Sequence, residues 1–296
     1  MKTLLASLAL ALAPGPVLPP QSFHAQDDRI ERLDSWPELD KELRAQVKTD
    51  VARLRKARTP EMGEQAFDGL VAAGAGAAPD LLDALDKEKD EEARARITDV
   101  LVTITGAPHT RLLAQHFGAG NPVLRRFALR RAALFPDAGT LAPAEEALEK
   151  ARNPGKDKTP DPDDLLAAAL AATAAGSLSG LEALYLAART DWPEESAAIH
   201  VAATAVRGEE ASKRMLPHVA SSDRNELLAG LRLLAACGTR ADAASGCAKH
   251  LDSADNGVRI AAINALRGIV DGAPPLEHLS AFDAIEMAQQ WKRRIQ

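Results

Sequence analysis

Gly176 to Gly238 reads GSLSGLEALYLAARTDWPEESAAIHVAATAVRGEEASKRMLPHVASSDRNELLAGLRLLAACG. Glycines at 176, 208 and 238 punctuate it at intervals of 32 and 30 residues, and each stands between two apolar helical patterns. The same mark occurs earlier at Gly74 and Gly106, 32 residues apart, and Gly272 fills the last slot. The 70-residue gap from Gly106 to Gly176 is divided by Pro136 and by a polar linker. A helix pair repeated every 20–50 residues or so is the signature of a solenoid, because one pair cannot bury its apolar stripe alone. The expected fold is all-α, a right-handed α-solenoid of about seven stacked antiparallel helix pairs.

Outward from that stretch, pairs are expected at 61–88, 90–118 and 121–151, then at 164–189, 194–220, 223–251 and 255–290. Asn153 to Asp164 (NPGKDKTPDPDD) has almost no apolar residue, so residues 153–163 form a Pro-rich surface loop between pairs 1–3 (59–152) and pairs 4–7 (164–296). Residues 26–58 are expected to form an N-terminal capping helix. Ser35-Trp36-Pro37-Glu38 reads as its capping box, and Leu39, Leu43, Val47, Val51 and Leu54 form its apolar stripe. Asp191-Trp192-Pro193-Glu194 repeats that start. Trp291, Lys292, Arg293 and Arg294 mark a more polar C-terminal cap.

Lys2 followed by the nine-residue apolar run Leu4–Leu12 is too short to span a bilayer, which needs about 20 residues. It reads as a signal peptide, residues 1–25, cut near Ala25, and the expected location is periplasmic or secreted. A net charge of −6 with both signs mixed argues against nucleic acid as partner, and no stable membrane insertion is expected.

Asp255-Asn256-Gly257-Val258-Arg259-Ile260-Ala261-Ala262-Ile263-Asn264-Ala265-Leu266 resembles the first helix of a HEAT-like (armadillo-type) repeat, which favours Asp, then Val-Arg, Ala-Ala and Ala-Leu. Asn121-Pro122-Val123-Leu124-Arg125-Arg126-Phe127-Ala128-Leu129 is a looser copy. The resemblance implies a HEAT-like superhelix whose second helices line a concave face, and an exported scaffold that binds a protein or peptide partner there. An accessory subunit of an envelope enzyme, or an enzyme like the HEAT-like bilin lyases, is the alternative.

No haem-attachment, zinc-protease, Walker or nucleophile-elbow motif occurs, so neither catalysis nor a cofactor or metal is expected. Leucine holds the nucleophile position in Gly176-Ser177-Leu178-Ser179-Gly180, and no strand precedes Gly74-Ala75-Gly76. Asp161, Asp163 and Asp164 lack the glycine and glutamate of a calcium loop. His116, His218 and His250 occupy matching places late in second helices. There an imidazole either serves the helix end and its last carbonyls or contacts a partner along the concave face. Arg125 and Arg126, with Arg130 and Arg131, flank one apolar stripe, as a solvated edge or a contact for an anionic partner. These three histidines and Arg125 and Arg126 are the partner-binding candidates. Cys237 at a turn and Cys247 inside the next helix are expected to be two buried thiols, about 9 Å apart along the helix axis.

Overall fold

Asp40, Thr59, Asp90, Asn121, Asp161, Asp223 and Asp255 each accept a backbone N–H from the helix that follows. Such a cap is worth about 1 kcal/mol. The structure is a computed structural model and describes residues 31–156 and 158–295. The expected signal peptide lies outside the described residues. The helices are α1 (Lys41–Arg55), α2 (Pro60–Ala73), α3 (Ala78–Lys87), α4 (Glu91–Ile104), α5 (Thr110–Ala114), α6 (Pro122–Leu134), α7 (Leu141–Arg152) and α8 (Pro162–Ala174). They continue as α9 (Leu181–Thr190), α10 (Trp192–Thr204), α11 (Glu209–Val219), α12 (Arg224–Cys237), α13 (Arg240–Ala248), α14 (Asn256–Leu266) and α15 (Ala281–Ile295). Among the described residues there is no strand, and no helix is long and apolar enough to cross a membrane.

The breaks fall where glycine and proline placed them. Gly74, Gly176 and Gly272 take positive φ of 66°, 107° and 63°, which side chains resist, whereas Gly208 is extended and caps α11. Helices pack on their neighbours in a continuous row: α6 on α8, α8 on α10, α10 on α12 and α12 on α14. α8 also packs on α7 and α9, and α12 on α9 and α11. Sequence explains this centrality. Every residue from Leu166 to Ala174 is buried, as in a helix that is apolar all round. In α12 only Arg232 escapes burial between Leu228 and Cys237. Alanine dominates α8, so neighbouring axes come close and many small contacts accumulate.

Two expectations change. Ser35 does not start a helix, because residues 31–40 are non-helical and α1 begins at Lys41, where the Asp40 carboxylate accepts from the Leu43 N–H at 2.8 Å. The preceding segment is used in docking instead. Trp36 stacks on His109 (5.4 Å, 10°), the Leu33 N–H donates to the Pro108 carbonyl, and Arg32 donates to the Ala107 carbonyl at 2.7 Å. The repeated motif at 191–194 does open a helix, α10. The Pro-rich loop, in turn, does not interrupt the packing: α8 starts at Pro162, and both α6 and α7 lie against it.

The C-terminal helix α15 packs on α14 and α13, with Trp291 buried and Arg294 both over its ring (4.2 Å) and paired with Asp271. Cys237 ends α12 and Cys247 lies in α13, both as free, fully buried thiols whose pKa burial pushes up to about 12. Only thiolates react with alkylating reagents. The folded protein is therefore expected to take up no maleimide over an hour, with both sites labelling after denaturation. Equal mass with and without reductant should accompany this; a two-dalton difference would mean a disulfide.

Candidate partner-binding groove

The three predicted histidines recur in register, and each side chain reaches back to the preceding helix pair. His116 follows α5, half-buried, and faces Asp86; burial lowers its pKa against the pull of that carboxylate. His218, in the last turn of α11, stacks on Tyr185 of α9 with centroids 3.7 Å apart, and its Nε2 is 3.7 Å from Glu182. His250 follows α13 and hydrogen-bonds the Val219 backbone; burial lowers its pKa despite that bond. Each imidazole thus meets a group of the chain's own preceding helices, and His218 does so by stacking on a ring. Among the described residues no group of histidine, cysteine, aspartate and glutamate side chains could hold a metal ion.

Arg125 and Arg126 are also engaged within the chain. Both bond the Asp164 carboxylate, and Arg126 reaches Asp161 (2.8 Å) and Asp163 (3.0 Å) as well. The anion these arginines meet is the first turn of α8, some 38 residues on. Arg125 further donates to the Ala119 carbonyl, six residues back. Arg94 does the same to Glu88 (2.9 Å) and Arg259 to Ser253 (2.7 Å). In all three, an arginine four residues after the N-cap closes the loop that enters the helix. Asp90-Glu91-Glu92-Ala93-Arg94 thus shares the cap-x-x-apolar-Arg spacing of Asn121–Arg125 and Asp255–Arg259, with Ala93 where Leu124 and Val258 stand.

The site that sequence reasoning missed is a groove of about 650 Å³, open to solvent, where the start of α8, the end of α9 and the starts of α10 and α12 meet. Leu165, Leu166, Ala183, Leu186 and Ala187 form its apolar floor. Leu186 is 47% exposed, while Leu184 and Tyr185 beside it are buried. An apolar residue off the buried stripe of α9 was the available signal. Asp163, Asp191, Glu194 and Glu195 stand on the rim with Arg189 and Asn225.

The corner carrying those carboxylates is braced. α9 ends at Thr190 and α10 begins at Trp192, so one residue makes the turn. Arg232 lies over the Trp192 ring (4.9 Å) and donates to the Ala188 carbonyl (2.9 Å); burial lowers its pKa, and among the described residues no carboxylate pairs with it. Glu195, 15% exposed, takes both guanidinium nitrogens of Arg130 at 2.8 and 3.0 Å, tying α10 to α6. Among the described residues the Asp191 side chain accepts only from the Thr190 hydroxyl (2.6 Å), and it makes no capping bond. Glu194 is exposed with no ion pair among the described residues. Beneath the floor, the Tyr185 hydroxyl is buried with no hydrogen-bond partner among the described residues, and burial raises its pKa. A second, shallower hollow of about 590 Å³ lies between α1 and α2, edged by Lys48, Arg53 and Lys56.

The groove side chains are aliphatic, carboxylate, guanidinium and amide groups. They suit shape and charge recognition. The chain matches no known family model and no curated protein.

Proposed function

We propose that this chain is an exported HEAT-like (armadillo-type) scaffold, a right-handed solenoid of about seven helix pairs, which binds a protein or extended peptide and performs no catalysis. The groove beside Leu186 carries this reading: an apolar floor with a charged rim, in the middle of a row of stacked helices, is a surface suited to a partner segment. The recurring N-cap and arginine pattern at Asp90, Asn121 and Asp255 supports the repeat assignment. The partner surface differs from the one the sequence suggested. The histidines and the Arg125–Arg126 pair are engaged inside the array, so the partner is assigned to the ends of α8, α9, α10 and α12.

The test places a photo-cross-linking amino acid at Leu186 and, as a control, at exposed Val102 on α4, in cells that export the protein. Leu186 is expected to give a discrete adduct absent at Val102, in the exported fraction, on a chain beginning at Gln26. No adduct at either position, with turnover of a small molecule by the purified protein, would replace the scaffold with an enzyme.

A further inference from the structure

We infer that the groove takes a partner segment bearing an aliphatic side chain beside a lysine or arginine; this rests on the scaffold reading and adds the partner's chemistry. The aliphatic half of the requirement comes from Leu186, 47% exposed on a floor of Leu165, Ala183 and Ala187. Left in water, that leucine forgoes the stabilisation that covering it would bring.

The cationic half comes from a charge count at the mouth. The first turns of α8 and α10, with their caps, carry six carboxylates: Asp161, Asp163, Asp164, Asp191, Glu194 and Glu195. Three arginines, Arg125, Arg126 and Arg130, pair with four of them. Arg189 on the rim is matched by Glu226 at 3.5 Å. The positive ends of α8 and α10 offset about half a charge each, which leaves the mouth anionic. Among the described residues the uncompensated pair is Asp191 and Glu194, and neither makes a capping bond. An anionic membrane surface or a nucleic acid would be repelled here, whereas a cationic side chain flanking an apolar anchor meets both features at once.

The probe is a fluorescein-labelled peptide of alternating leucine and lysine, titrated with the purified exported chain in about 0.1 M salt, where distant surface charges are screened. Binding is expected to weaken at least tenfold for Leu186→Asp and at least tenfold for Asp191→Asn with Glu194→Gln. The second variant leaves the core untouched, so misfolding does not imitate the result. Glu209→Gln with Glu210→Gln, exposed carboxylates at the start of α11, should change nothing. A peptide with glutamate in place of lysine should not bind. Equal losses from both carboxylate pairs, or equal binding of the glutamate peptide, would overturn the inference. So would a dimer of this chain that Leu186→Asp dissolves, which would assign the groove to a second copy. A Leu186 cross-link onto an acidic or uncharged partner segment would leave the scaffold reading standing and remove this one.

Discussion

Gly268→Ala is expected to destabilise the protein by about 3 kcal/mol, the upper range for forcing one methyl into a packed contact. Gly268 sits just after α14, and a Cβ there would lie 1.9 Å from the Ala235 carbonyl oxygen and 2.8 Å from its carbon. The obstruction is the backbone of α12, which has no rotamer to change. Arg207 holds the contact by donating to the Gly268 carbonyl (2.9 Å) and, more weakly, toward the Ala235 carbonyl (3.5 Å). The two helices would have to separate at this contact. At roughly 2 °C per kcal/mol for a chain of this size, the melting midpoint followed by far-UV circular dichroism should fall by about 6 °C. Gly120→Ala, where a Cβ meets nothing within 4 Å, is the control and should shift it little. Identical midpoints for the two variants would mean that α12 and α14 do not touch at Gly268.

Asp137→Ala is expected to cost a similar amount, about 3 kcal/mol, and to remove part of the acid sensitivity of the fold. Asp137 is 4% exposed. It accepts from Arg111 at 3.0 and 3.3 Å, from the Gly139 N–H at 2.8 Å, and pairs with Arg32 at 3.2 Å. Arg32 also donates to the Ala107 carbonyl, so this carboxylate anchors the N-terminal segment to the turns after α4 and α6. Burial pushes its pKa up, but the Gly139 amide, Arg111 and Arg32 outweigh burial and hold it below the usual carboxylate range. A carboxyl whose folded pKa is depressed stabilises fully above its unfolded value of about 3.9, and that contribution is lost as pH falls through the folded value. Glu88, held down to about 2 chiefly by Arg55, adds to the same acid window. Between about pH 6 and pH 3 the wild type should therefore lose more stability than Asp137→Ala does. Parallel pH profiles for the two proteins would show that Asp137 is not a buried anion.

Local signals were legible where they act locally. Glycine, proline and cap residues placed the breaks at Gly74, Gly106, Pro136, Gly176, Gly208 and Gly238, because a helix starts and stops on hydrogen bonds made within one turn. The signal failed at Ser35, where two caps competed. Ser35 offered a capping box and Asp40 a simple cap, and the stack of Trp36 on His109, some 70 residues away, took the preceding segment out of the helix.

The candidate site was the less legible part. Spacing revealed that His116, His218 and His250 share a register, yet only the fold shows each one against the previous helix pair. The arginine cluster at 125–126 was visible as a cluster, while two of its aspartates, Asp161 and Asp163, lay in the segment read as loop and Asp164 at the start of the following pair. The groove gave almost no warning, since its floor and rim come from four helices and its one linear trace is a leucine displaced from the stripe of α9.

By itself, then, the sequence determined that the described residues fold into helices without strands, and the position of nearly every helix among them. Those outcomes depend on backbone hydrogen bonding and apolar periodicity between residues a few positions apart. The tertiary structure alone decided which charges are free. Asp164 and Glu195 are bonded and Glu194, among the described residues, is not because Coulombic pairing acts through space: the first two side chains reach arginines of α6, whereas Glu194 stands at the groove mouth beyond them.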